Sequence, residues 1–221
     1  MSGEVESFVR EKLGHSPTDL TSYERALTHS SVRRDSYERL EFLGDRVLGL
    51  VIARELYERY PAEPEGNLSR RYNALVARET CAEVGRELGI PKLIRLGKQA
   101  RDDGANQSDN VVGDAVEALI GALFLDAGMD AARSLVLRLW GSYLERQDGA
   151  PLHPKSALQE LSAARNSRAP HYEVVSRSGA HHSPTFVVRV IVKGLGEASA
   201  EGSSKQEAET AAAKALLKQL Q

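Results

Sequence analysis

ERLEFLGDRVLGLVIA, residues 38–53, is a run in which apolar side chains recur every three or four positions, the spacing of one face of an α-helix. Its acids interrupt that face. Glu38, Glu41 and Asp45 fall at i, i+3 and i+7 on one stripe, while Leu40, Leu43, Val47 and Leu50 continue the buried surface around them. A second run, DNVVGDAVEALIGALFL at 109–125, does the same with Asp114 and Glu117. Gly44 and Gly113 each stand directly before an acid, and a glycine inside a helix costs about 0.5 to 1 kcal/mol relative to alanine. Two helices approaching at those glycines are expected to gather Glu41, Asp45, Asp114 and Glu117.

A single acid on a helix is ordinarily solvated or paired, here with Arg39 or Arg46. Two matched pairs embedded in Leu, Ile, Val and Phe call for another account, because a buried carboxylate is costly unless a cation compensates it. A divalent metal is that cation, and phosphoryl transfer is the chemistry that suits it. Carboxylates can hold one or two Mg²⁺ ions, which ready a water for attack and neutralise charge on phosphate and leaving oxygen.

The same helical period runs from Glu4 to about Gln147, predicting helices near 4–14, 22–28, 37–60, 67–76, 79–88, 109–126 and 131–147. Pro61 and Pro64 end the third, and RDDGANQSD at 101–109 is a polar loop. DGAPLHPK at 148–155 combines Gly and two Pro with few apolar residues and marks a linker. Beyond it the period changes. After a short helix at 156–164 come strands at 171–177, at TFVVRVIVKG (185–194) and at 196–202, then an Ala-rich helix at 205–219. The expected organisation is an all-α domain at 1–147, a linker at 148–154 and a small α+β domain (α-β-β-β-α) at 155–221.

Charge divides along the same line. Residues 1–150 carry 20 Lys and Arg against 25 Asp and Glu, whereas 151–221 carry 9 against 6 and four of the six His. A basic unit joined to an acidic one suggests a polyanion gripped by the first and worked on by the second. Cys81 stands alone, so no intrachain disulfide forms. The polar start MSGEVESFVREKLG is unlike a signal peptide, and the longest apolar run, Ala118 to Leu125, is too short to span a bilayer. A soluble cytoplasmic protein is expected, with no membrane partner. No zinc motif, phosphate-binding Gly-rich loop or nucleophilic triad occurs; His29 lacks a second His at ligand spacing, and Trp140 and Phe124 read as core.

YERLEFLGD at 37–45 with DAVEALIG at 114–121 closely resembles bacterial ribonuclease III, and the likeness extends to THSS at 28–31 and EGNLSR at 65–70. The resemblance implies a divalent-dependent endonuclease that hydrolyses double-stranded RNA, leaving 5′-phosphates, 3′-hydroxyls and short 3′ overhangs, and that processes ribosomal, messenger and transfer RNA precursors. It implies Glu41, Asp114 and Glu117 as ligands of Mg²⁺, with Mn²⁺ as a substitute and no small-molecule cofactor, and Asp45 and Glu117 as the residues nearest the hydrolytic step. Glu38 and Glu65 match positions that support RNA engagement or the subunit interface; for Glu65 an ordinary solvated acid is an equal reading. Two residues depart from the pattern. Tyr37 stands where Asn is common, and Arg46 replaces a small residue. Its Cβ is turned about 100° from that of Asp45, so Arg46 is expected to point away from that acid.

GAHHSPTF at 179–186 and GSSKQEAETAAAKALL at 202–217 resemble the double-stranded RNA-binding domain. A-form RNA offers a wide, shallow minor groove read by shape, and Gln159 and His182 match the family's groove contacts. Ser203 and Ser204 fit a helix start facing phosphate, with Lys205 supplying charge. Gln206 replaces a usual second base, and Glu207 and Glu209 add negative charge, which predicts weak, salt-sensitive binding by this domain. Ala208, Ala212, Leu216 and Leu220 form the stripe expected on the sheet, leaving Lys214 and Lys218 to solvent.

A duplex has two antiparallel strands and one chain has one acidic cluster, so a C2 homodimer is expected, using Phe42 and Leu43. The opposing class is a double-stranded RNA-binding scaffold or ribosome-associated protein without catalysis, which has no need of all four acids. An enzyme acting on small phosphoesters has no need of the basic domain.

Overall fold

The computed structural model describes residues 2–32, 34–147, 149–180 and 183–220. The chain forms two compact units, Met1–Pro151 and Leu152–Gln221.

The first unit is helical. α1 (Ser2–Phe8) continues into a π-turn (Val9–Leu13) that Gly14 ends at φ 72°, and α2 (Thr21–Ala26) follows. α3 (Glu38–Arg59), α4 (Glu65–Leu75), α5 (Arg78–Leu88), the short α6 (Lys98–Asp102) and α7 (Asp109–Glu145) complete it. The two helices expected at 109–126 and 131–147 are one span broken at Gly128, whose φ of 80° and ψ of −175° are non-helical. α6 lies within a stretch for which the sequence gives no helical period. α3 and α7 pack most extensively against one another.

Buried apolar faces of α3, α5 and α7 make the core, with Trp140 fully buried and donating from Nε1 to Leu75 O at 2.8 Å. Phe124 is only partly buried. Leu50, expected in the buried surface, is instead 59% exposed. It follows Leu43, itself only partly buried, by seven residues, and that 700° falls about 20° short of two full turns, which leaves Leu50 past the edge of the packed face.

Arg71 on α4 is 2% exposed, and that burial is compensated in full. Its guanidinium donates to both Glu63 oxygens at 2.9 and 2.6 Å and to Gln147 O at 2.9 Å, and lies 3.9 Å over the Tyr60 ring. This fastens α4 to the ends of α3 and α7. Asp126 does similar work elsewhere, accepting from Tyr23 Oη at 3.0 Å and Thr18 N at 3.2 Å and meeting His15 Nε2 at 2.8 Å.

The second unit runs α8 (Pro154–Ala164), β1 (His171–Ala180), β2 (Ser183–Val192), β3 (Gly196–Gly202), α9 (Lys205–Leu220). Pro154 at the first helical position supplies a preset φ, so α8 opens at the end of the proline-bearing segment. The antiparallel sheet has order β1-β2-β3, with Val188 opposite Val174 on one side and Ala200 on the other and a bulge at Val174–Ser176. Val190 and Val192 point into a core shared with Leu158, Ala212 and Leu216, and Val188 is buried too, the alternation expected of a strand with one buried face. Ala208 is also buried, Leu220 is partly so, and Lys214 and Lys218 are exposed. Helical and α+β units therefore follow in the expected order. No helix among the described residues is long and apolar enough to cross a membrane.

Candidate active site

The site begins with a missing side chain. A Cβ on Gly44 of α3 would come within 1.7 Å of Glu117 O on α7, and one on Gly121 within 2.4 Å of Leu40 O. The two backbones thus touch at Gly44 and Gly121, which no larger residue permits. Gly113, the partner expected from the sequence, instead faces α5, where an added Cβ would lie 3.4 Å from Arg78 O and 3.5 Å from Cys81 Cβ. Eight residues before Gly121, it lies more than two turns away along α7, outside the crossing.

The crossing sets acids of both helices side by side. Burial pushes the Glu41 carboxyl up from its ordinary range, and the charges of Asp114 and Glu38 raise it further. Asp114 is also raised by burial, an effect opposed by Tyr37, Arg78 and His29. Glu117 is lifted furthest, to about 7, by burial and then by Asp114 and Glu41. Among the described residues no three His, Cys, Asp or Glu side chains are drawn into a ligating cage.

Asp45 follows the crossing glycine directly and is 36% exposed. Its carboxylate is ion-paired with Arg46, whose guanidinium lies 4.6 Å over the Phe42 ring. Arg46 therefore turns toward Asp45 and not away; the Cβ offset is spanned by its long flexible stem, which the exposed Phe42 ring supports. Glu38 is exposed at the start of α3. Glu65 is exposed at the start of α4 and accepts from Ser69 Oγ at 2.6 Å, a bond that stays within that helix.

Two neighbours of the acids are not apparent from the sequence. Tyr37 is 3% exposed and donates from Oη to Asp114 Oδ2 at 3.4 Å, while the His29 ring meets it edge-on at 5.7 Å. A bridge between Thr28 and Arg95 and the bond from His29 N to Arg95 O at 3.0 Å hold that segment in place. Cys81, fully buried on α5, lies behind Glu117 with Sγ 3.8 Å from Oε1. Carboxylate oxygens are hard donors, and with carboxylates on two helices held against a solvated face the set fits a divalent cation of the oxygen-loving kind.

Of the residues expected to touch RNA, Gln159 lies on α8 and lines a hollow with Lys155 and Tyr172. Lys205 opens α9 and is 63% exposed. His182 lies outside the described residues.

An acidic face built where two helices cross, followed in the chain by a small α-β-β-β-α unit, defines a nuclease that carries a nucleic-acid-binding module. Comparison with known proteins makes this specific. Residues 19–142 match the family model described as "Ribonuclease-III-like", and residues 154–220 match "Double-stranded RNA binding motif". Ribonuclease 3 of Zymomonas mobilis is 58% identical over 211 residues, 96% of this chain and 86% of that protein. Ribonuclease 3 of Dinoroseobacter shibae is 44% identical over 224 residues, covering 100% of this chain and 97% of its own. A solved nuclease domain of ribonuclease III from Campylobacter jejuni, described as flexible in a region involved in dimer formation, shares 33% identity at TM-score 0.60, covering 61% of this chain and 95% of that one. The chain belongs to the ribonuclease III family and is an endoribonuclease.

Proposed function

We propose that this protein hydrolyses phosphodiester bonds of double-stranded RNA to 5′-phosphate and 3′-hydroxyl ends with short 3′ overhangs, processing ribosomal and other structured precursors in the cytoplasm. The Gly44–Gly121 contact carries the reading, since it sets acids of two helices at one place. In this reading Glu41, Asp114 and Glu117 hold Mg²⁺, or Mn²⁺ in its place, and Asp45 stands at the hydrolytic step. The bound cation supplies a low-pKa water and charge neutralisation at the phosphate. The protein's own part is to hold the carboxylates in register. Tyr37 orients Asp114, and the walls behind Glu117 exclude water. Arg46 must release Asp45 for that acid to act, and a phosphate oxygen is a natural new partner for its guanidinium.

Residues 1–147 form the catalytic domain in this reading, 148–154 the linker and 155–221 the RNA-binding domain, with Gln159, His182 and Lys205 contacting the duplex. Glu38 and Glu65 play supporting parts. The active form is a homodimer. Phe42, Leu50 and Tyr57 are 64%, 59% and 74% exposed along α3, too much apolar surface for an unpartnered helix. At the Tyr57 end a hollow of about 320 Å³ is lined by Ala53, Leu56, Tyr57, Leu68, Ser69 and Tyr72. A two-fold axis across this face covers the exposed apolar side chains of each copy with the same surface of the other, as an isologous interface requires.

Incubation of the purified protein with a long RNA duplex, with and without Mg²⁺, tests the whole. Metal-dependent production of short duplexes is expected; intact RNA in both tubes leaves a binding protein only.

A further inference from the structure

The second unit carries its own counter-charge where a phosphate would dock. A Cβ on Gly202 would lie 2.5 Å from Ala208 N, so the end of β3 and the first turn of α9 are locked together. Three cationic features meet there: the helix start, Lys205, and Lys155 from α8. Each is already engaged by an acid of α9. Glu207 Oε2 accepts from Ser203 N at 2.8 Å and from the Ser203 hydroxyl, while its own N–H donates to Ser204 Oγ at 3.1 Å. Glu209, with a side chain only 14% exposed, receives Lys155 Nζ at 2.6 Å on Oε2 and faces Lys205 Nζ at 3.8 Å with Oε1. Lys155 also lies 4.8 Å over the Tyr172 ring, which holds its ammonium inward.

A carboxylate whose two oxygens each face an ammonium offers what the two non-bridging oxygens of a phosphodiester would offer. We propose that Glu209 is an internal stand-in for an RNA phosphate, holding Lys155 and Lys205 in the free protein and giving them up when a duplex docks. The proposal rests on the reading of this unit as a duplex-RNA binder. Each docking phosphate then competes with a carboxylate already in place, and the two cations release fewer counterions than their number implies. Affinity is held down for every duplex alike, because the restraint lies in the protein and reads no sequence. A nuclease that must let go of its products gains turnover from that restraint.

The full chain carrying Glu209→Gln tests this, with duplex RNA bound in EDTA so that no cleavage intervenes and anisotropy read across a salt series. Affinity is expected to rise about three- to tenfold at low salt, and the slope of log K against log salt to steepen by about one, so the gain shrinks about fourfold between about 50 and about 200 mM salt. Glu197→Gln, which removes an exposed acid at the other end of β3, controls for bulk charge and is expected to change affinity by less than about twofold. Lys155→Met in the Glu209→Gln background is expected to cost more affinity than in the otherwise unaltered chain, because only there is the ammonium free. If Gln unsettles α9, Glu209→Ala makes the same test in a residue that favours helix. A Glu209→Gln protein matching Glu197→Gln in both affinity and slope overturns the proposal. Failure of every protein, including the unaltered one, to bind duplex overturns the underlying reading and this proposal with it.

Discussion

Replacing Glu117 by Gln is expected to destroy activity and, in the metal-free protein, to raise stability. Glu117 has its proton affinity lifted from the ordinary 4.5 to about 7, by burial first and then by Asp114 and Glu41. The folded state thus keeps a proton that the unfolded chain releases, and stability is lost as pH climbs from 4.5 through about 7. At about 1.4 kcal/mol for each tenfold in proton affinity, the deprotonated side chain costs the fold about 3 kcal/mol above that window. Gln keeps the shape without the charge. Melting in EDTA near about pH 8 should therefore show the variant more stable by about 5 °C or more, with the difference shrinking as pH falls and vanishing below about pH 4.5. Mg²⁺ should reverse the order by stabilising the native protein more than the variant, since a ligand that binds the folded state adds its binding free energy. A variant that melts lower at about pH 8, or gains equally at both pH values, refutes the assignment of Glu117 as an uncompensated member of the acidic cluster.

Asp45→Asn should abolish cleavage of a long duplex while leaving its affinity, read by gel shift in EDTA, within about twofold. Gly44→Ala should destabilise by about 3 kcal/mol or more in urea melts, because its methyl would overlap Glu117 O and force the helices apart. Phe42→Glu should shift the protein to monomer in sedimentation and lower cleavage, by placing a charge in an apolar seam. Deleting residues 152–221 should weaken duplex binding at physiological salt while leaving some cleavage at low salt; unchanged affinity refutes that division of labour.

Whatever depends on a short repeat is legible in this chain. The alternation at 185–192 marks β2, and the three- and four-residue spacing at 38–53 marks α3, because each pattern reports which face a residue buries regardless of what covers it. The acids read clearly for the same reason: a carboxylate on an apolar stripe is anomalous before its partner is known. What covers the face is harder to read. Gly44 announces a close approach, but the residue it meets is Gly121 and not Gly113; the available signal is that Gly121 follows Glu117 by one turn on the same face. α6, of five residues, is too short to show a period.

The contacts that tune the site are the least legible, because they join distant parts of the chain through side chains. Tyr37 reaches Asp114 across 77 residues, and Arg71 finds Gln147 across 76. Arg46 illustrates the limit from the other side, since even adjacent residues are misjudged when Cβ direction alone is weighed against a stem with four rotatable bonds. Backbone geometry fixes where Asp45 stands, but the electrostatics of the free site decide where Arg46 goes. An excess of carboxylate beside one mobile guanidinium draws it in, and only a stronger claim on that guanidinium or on the acids will release it. Metal and phosphate arriving together make both claims at once, so the Asp45–Arg46 pair is expected to open with substrate and not with the cation alone.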